Sequence, residues 1–261
     1  MIQTNLFIIL LLSSFLAVGQ PGGIEPVETT GWCQLGDKKI AVKTYRYGSS
    51  VKNVLVNLHH NEETAIQAAQ NVLSVAGGVL VYIENGNERI ISFRQGGRLF
   101  RFDPNRIFTE AGIRKTLTKL SERVTPAAIK AVKKFAIFMK SKLPPAASVV
   151  IAVHNNEDGD LSVNSYDKDG DLHREASQVY SRSVHDADNF FLTTDVPLFR
   201  KLKASGYNVV LQHNKRVTND GSLSVYYGLK KRKYVNVEAE TGQLEMQEEM
   251  IRSLLEILKN R

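Results

Sequence analysis

VLVNLHHNEETAIQAAQ, residues 54–70, changes character twice within one short stretch. It opens as a continuous apolar run, VLVNL, which reads as a strand buried on both faces. It closes as ETAIQAAQ, whose apolar positions recur at helical spacing. Between the two sit a pair of histidines and a pair of glutamates. A second continuous strand, SVVIAV at 148–153, lies beyond a long helical segment. Buried strands alternating with helices predict an α/β fold: a single domain on a mixed, mostly parallel sheet with helices on both faces. In such sheets functional groups gather just past the carboxyl ends of strands. Three segments fit that rule, because NVLVNL runs into His59, SVVIAV into His154 and YVNV into Glu238.

Working outward, further strands are expected at KKIAVKTYRY (38–47), GGVLVYIEN (77–85) and RIISFRQ (89–95), divided by turn signals such as NGN and QGG. Residues 109–142 read as helical, with apolar positions at Ile113, Leu117 and Leu120 and then at Ile129, Val132, Phe135 and Met139. The remaining expectations are strands at SVVIAVHNN (148–156), LSVNSY (161–166), YNVVLQH (207–213), SLSVYYGL (222–229) and YVNVEAE (234–240), and helices at 195–206 and 242–260. No internal repeat is visible.

The chain's 261 residues suffice for one full core. Residues 1–19 have signal-peptide anatomy: a polar start, an apolar run over 6–18 and small residues at Ala17 and Gly19. The run is too short to span a bilayer comfortably. These features predict a leader, export to a secreted or periplasmic location and no stable membrane insertion once it is removed. A Gly/Pro-rich joint is expected over 20–36, then one catalytic domain over 37–261. Cys33 is the sole cysteine, which excludes an internal disulfide. The formal charge of +7 points to an anionic partner: a cell-wall polymer, an acidic peptide or a membrane surface. Aromatics are not interleaved with the basic residues as they are on nucleic-acid platforms, so nucleic acid is not an expected partner.

Catalytic zinc commonly takes two histidines and a carboxylate and keeps one coordination position open. A His at a strand end and a Glu three residues on can converge on one ion, and both His59 with Glu62 and His60 with Glu63 have that spacing. His154 is the distant histidine best placed to complete either set. His173, His185 and His213 lie in polar surroundings and read as solvated. DKDGDLH, 167–173, lacks the oxygen spacing and closing Glu of a calcium loop and reads as a surface turn.

LHHNEETA resembles the His-x-Asn-Glu-Thr-Ala signature of the succinylglutamate desuccinylase and aspartoacylase branch of the zinc carboxypeptidase superfamily. RLFRFDPNRIF resembles that family's Arg, four residues, Asp-x-Asn-Arg-x-Phe segment, VVIAVHNN its later histidine strand and YVNVEAE the strand of its catalytic glutamate. The resemblance implies zinc on His59, Glu62 and His154, with Glu238 as general base. Glu240 is the near rival; the two are expected on opposite faces of the strand, so that only one meets the metal, and Glu238 is preferred because it follows the apolar run at once. Asn105 and Arg106 match the pair that grips a substrate carboxylate, a task suited to a planar guanidinium. Arg98 matches the arginine that helps hold the developing oxyanion, with Arg94 and Arg101 as alternatives. Tyr226 and Tyr227 do not match the family's spacing and read as core or rim residues. Pro104 stands where the family often has Leu, and the doubled HH and EE blur the branch.

The implied function is an exported zinc amidohydrolase of carboxypeptidase type, cutting an amide beside a free carboxylate in a peptide or acidic polymer. A muramoyl-alanine-type zinc amidase is the second reading, but its Gly-rich zinc motif is missing and it has no need of Asp-x-Asn-Arg. A non-catalytic binding protein on the same fold is the third.

Overall fold

A computed structural model describes residues 22–144 and 149–259. The leader expected over 1–19 lies outside them. Chain order begins β1 (Pro26–Leu35), β2 (Lys38–Tyr47), β3 (Val54–Asn57), α1 (Glu63–Ala76) and β4 (Gly78–Glu84). There follow a hairpin of β5 (Ile91–Gln95) and β6 (Arg98–Phe102), α2 (Glu110–Leu120), α3 (Pro126–Lys142) and β7 (Val150–Asn156). The chain continues through β8 (Ala176–Tyr180), β9 (Phe190–Thr193), α4 (Val196–Ala204), β10 (Val209–Gln212), α5 (Leu223–Leu229), β11 (Tyr234–Glu240) and α6 (Leu244–Lys259).

Nine strands form one sheet in the order β1-β2-β4-β3-β7-β11-β9-β10-β8. Its centre is parallel: β4 with β3, β3 with β7 and β7 with β11. The flanking pairs β1-β2, β2-β4, β11-β9 and β10-β8 are antiparallel. Every residue of β3 and β7 is buried, as expected of strands covered on both faces. One face packs α1, α4 and α6 through residues such as Ala69, Leu73, Leu202 and Leu254. The other packs α2, α3, α5 and the β5-β6 hairpin through Leu117, Phe135, Tyr227 and Phe93. The expected α/β class on a mixed sheet with helices on both faces is what the chain adopts. No helix among the described residues is long and apolar enough to cross a membrane.

Several local expectations need correction. The segment 20–36, read as a joint, contains β1, which pairs residue for residue with β2 from Pro26↔Tyr47 to Leu35↔Lys38. The helix expected over 109–142 is two helices. Thr125 caps the second by accepting from the Ala128 N–H, and Pro126 fills its first turn, where the missing N–H costs nothing. LSVNSY is not a strand but a single 3-10 turn over Val163–Tyr166. SLSVYYGL is not a strand either. Ser222 accepts from the Val225 N–H and starts α5. Strands β6, β8 and β9 were not foreseen.

Candidate metal centre

The adjacent parallel strands β3, β7 and β11 bring their carboxyl ends to the same edge of the sheet, and that alignment assembles the site. His59 lies two residues past β3, while His154 and Glu238 are register partners on β7 and β11. The turn after β3 is tight: the Glu62 N–H donates to the His59 carbonyl at 3.1 Å. Asn57 fixes it from below. Its Oδ1 accepts from the His59 N–H at 3.1 Å, and its Nδ2 donates to Glu62 Oε2 and to the Val153 carbonyl. Glu62 occupies the N-cap position of α1 but does not cap it. Asn155 on β7 substitutes, accepting from the Ala65 N–H at 2.8 Å, which leaves the Glu62 carboxylate free to face the histidines.

His59, Glu62 and His154 converge, their ligand atoms all within 4.8 Å of one another, and all three are buried. Glu62 Oε1 lies 2.7 Å from His59 Nδ1, and Oε2 lies 2.7 Å from His154 Nδ1. The far nitrogen of His59 sits 2.8 Å from Asp103 Oδ1. A carboxylate behind a ligating imidazole is the arrangement that fixes tautomer and ring orientation at metal centres. His154 is held through its backbone, whose carbonyl accepts from Gln247 Nε2 at 2.9 Å. Its Nε2 is buried without a partner among the described residues, which costs about 1–3 kcal/mol unless a ligand satisfies it. Two imidazoles and a carboxylate, convergent, buried and oriented from behind, fit a transition metal.

Charge follows the same geometry. Burial alone would pull the pKa of His59 down, but Glu62 and Asp103 outweigh it and raise it to about 9. Burial would raise Glu62, yet His154 and His59 hold it well below the usual carboxylate range. Asp103 is likewise held low against burial by its hydrogen bond to His59, with Arg106 and Arg89 assisting. Glu238 goes the other way. Burial raises its pKa, and His154 offsets only part of that.

The two candidate registers are now distinct. His60 turns away from the cluster, accepting at Nδ1 from the Asn85 and Asn87 N–H groups and stacking on Tyr82. Glu63 is exposed in the first turn of α1. Glu238 and Glu240, expected on opposite faces, are two apart on β11 and therefore share a strand face, so position along the strand separates them. Glu238 lines a cleft of about 380 Å³ with the three metal-site residues, whereas Glu240 lies past it and is engaged by Gln243. Asn236 donates to Glu238 Oε2 at 2.5 Å.

Asn105 and Arg106 line the same cleft. Asn105 Oδ1 accepts from the Leu223 N–H at 3.0 Å, and Arg106 Nε sits 3.3 Å from Asp220. Arg98 is not brought there. It stands at the turn end of the β5-β6 hairpin, paired with Gln95, with Asp103 past the opposite end of β6. At about 3.3 Å per residue that separation is roughly 15 Å along the strand. Arg98 lines a separate cavity with Arg101 and Arg123. Arg94, the other alternative, is exposed. The arginine beside the metal cluster is Arg89, whose Nη1 donates to Glu62 Oε1 at 2.8 Å. Neither Tyr226 nor Tyr227 reaches the cleft; Tyr166 does, from the turn that was read as a strand.

Arg89, Asp103 as the orienting carboxylate, Asn57, Asn236 and Tyr166 escaped the sequence reading. Asn57 carried a usable signal, a lone amide inside an otherwise apolar strand. Arg89 carried none: it opens RIISFRQ, expected as a strand, whereas β5 begins only at Ile91.

No family model and no curated protein matches the chain. Among solved structures it is similar to an aspartoacylase family protein from Mesorhizobium loti, at 12% identity over 94% of this chain and 69% of that one, with a TM-score of 0.48. It is similar to a succinylglutamate desuccinylase/aspartoacylase from Rhodobacter sphaeroides at 14% identity, covering 94% and 68%, TM-score 0.43. A third is a tripeptide-bound cell shape determinant protein from Helicobacter pylori, at 13% identity over 79% of this chain and 50% of that one, TM-score 0.42. The chemistry of the site rests on its own residues.

Proposed function

We propose that the chain is an exported, zinc-dependent amidohydrolase of carboxypeptidase type that cleaves an amide beside a free carboxylate in a peptide. The observation that carries this reading is the shared cleft: two histidines and a glutamate converge at one end, a buried carboxylate faces them from the next strand, and two guanidiniums line the same space. His59, Glu62 and His154 would hold the ion. When bound, zinc supplies Lewis acidity toward a carbonyl oxygen and lowers the pKa of water.

Arg106, steered by Asp220 and by the Asn105 carbonyl at 2.9 Å, binds the substrate carboxylate. Arg89 places positive charge next to the carbonyl under attack, the task that the family resemblance implies for Arg98. Glu238 takes a proton from the attacking water as the new C–O bond forms. It returns that proton to the nitrogen as the C–N bond breaks, giving one acid and one amine. Its raised pKa suits a group that must accept and then release a proton. Export is supported by the leader-like residues 1–19 alone.

The test is a pair of variants with metal content read beside activity. Glu238→Gln is expected to bind zinc stoichiometrically and to lose hydrolysis by about a hundredfold or more, within the usual range for a removed acid–base group. His59→Ala is expected to lose both metal and activity. A Glu238→Gln protein of full activity would remove the base assigned here, and a purified parent chain without transition metal after reconstitution would remove the reading altogether.

A further inference from the structure

Charge is distributed unevenly along this chain. Residues 94–142 hold thirteen Lys and Arg against three Asp and Glu, a surplus larger than the +7 of the whole sequence. The fold sets part of that surplus beside the cleft. Arg89, Arg106 and Asp220 line the cleft and also a second cavity of about 420 Å³, whose far wall is Lys115, Lys119 and Leu120 on α2. Leu120 in turn is shared with a third cavity of about 340 Å³, lined by Arg98, Arg101 and Arg123 with Glu122 as its one acid. The three are neighbours, the first two joined at three wall residues and the outer two divided by Leu120. They make a concave, cationic track that leads out of the metal centre along the carboxyl end of α2.

The cations of its outer part outnumber the acids and form no ion pair: Glu122 is the one carboxylate on the outer cavity's wall. Among the described residues no Asp or Glu lies within ion-pairing distance of Arg98, Arg101, Lys119 or Arg123, although Arg106 and Arg114 each have an acidic partner. Gathering like charges around a hollow raises its positive potential and draws anions into it. The track is a groove rather than a plane, and Leu99 is the exposed large hydrophobe on its wall, so it lacks the apolar face that a membrane-inserting surface needs.

We infer that this track binds a chain of carboxylates, so that the substrate is a polyacidic peptide in which Arg106 grips a side-chain carboxylate and the acidic residues beyond it follow the track. The inference rests on the proposed hydrolase for its orientation, since the track starts where that reading places the substrate carboxylate. Repeated carboxylates on a peptide match successive guanidinium and ammonium groups at separate points of a groove.

The experiment separates the two ideas by measuring binding without turnover. Fluorescently labelled glutamate oligomers are titrated against the zinc-loaded Glu238→Gln protein, beside a neutral glutamine oligomer of equal length. The expected result is an affinity that rises with the number of glutamates, weakens with salt and falls about tenfold or more in Lys119→Glu/Arg123→Glu. Both side chains are exposed, so that variant is expected to keep the parent's thermal midpoint and its rate on a substrate with a single carboxylate. Affinity independent of oligomer length, or unchanged by the double variant, overturns the track. So does a track that takes anionic vesicles or duplex DNA in a manner abolished by the same variant while glutamate oligomers do not bind. Should oligomers bind as expected while no amide is cleaved by the parent protein, the hydrolase fails and the track stands.

Discussion

Nδ1 of His60 accepts from two backbone N–H groups, at 3.1 and 2.8 Å, so that nitrogen is unprotonated and already committed. His59 instead turns Nδ1 to Glu62 and rests Nε2 on Asp103. The neighbours therefore differ in what their loss does. His60→Ala is expected to keep full metal content and to cost about 1–2 kcal/mol of stability, the penalty of two unmet N–H donors at a largely covered site. Asp103→Asn is expected to fold and to bind metal about 10–100-fold more weakly, because the bond that fixes the His59 tautomer is lost. Competition against a chromophoric chelator measures the second, and denaturant titration the first. Residue types at this site were legible in the sequence, since a His, a Glu three later and a distant strand-end His are visible as letters. The choice of register was not. Both registers have the same spacing, and what separates them is a turn at Asn85 and Asn87, 25 residues beyond His60. Arg98 shows the same limit. Its spacing to Asp103 matches the motif it resembles, but β6, which it begins, carries it away from His59, Glu62 and His154.

At the scale of elements, the strands that build the site were legible because a doubly buried strand has an unmistakable composition. The elements that shape the substrate side were not. SLSVYYGL alternates apolar and polar positions over so few residues that period two and period 3.6 both fit, and only the Ser222 cap reveals the helix. The loop ahead of that cap closes the cleft. Gly221 has φ +83°, and a Cβ there would meet the Arg106 carbonyl oxygen at 2.5 Å and the Gly112 Cα at 2.5 Å. Its own carbonyl accepts from the Phe108 N–H at 2.9 Å, and Thr109 Oγ1 donates to Asn219 next to it. The close approach of Gly112 and Gly221 thus holds the Asn105-Arg106 segment against the Asp220 loop. Gly221→Ala is expected to lower stability by about 2 kcal/mol or more, from backbone strain and overpacking together. It is also expected to raise KM more than it lowers kcat, since it displaces Arg106 while leaving the metal ligands in place. Steady-state kinetics beside a melting curve check both effects. A fall in kcat with unchanged KM would mean that this loop supports the ion rather than the substrate.

Across the whole molecule, the surplus of positive charge was legible as a number, whereas its placement along α2 and the hairpin became visible only once the fold set those elements beside the cleft. A second property of the molecule as a whole is how pH acts on its stability through the metal cluster. In protein stripped of metal, His59 has its pKa raised to about 9 by Glu62 and Asp103 despite burial. A group raised on folding stabilises the fold while protonated: fully below its unfolded value of about 6.5, and progressively less as pH rises toward 9. Glu62 and Asp103 are depressed, so their contribution is present above about 4 and lost as pH falls below that. The stripped chain is therefore expected to be most stable between about pH 4.5 and 6.5, with a thermal midpoint that declines by several degrees from pH 7 to 9. Metal reverses the upper slope. Ligation requires unprotonated ring nitrogens, so binding releases protons and its stabilising effect grows with pH. Scanning calorimetry of chelated and zinc-loaded protein across that range is expected to show a gap in midpoint that widens from pH 6 to 9. A gap that stays constant would mean that no proton leaves the cluster when the ion enters, and His59 would then not be one of its ligands.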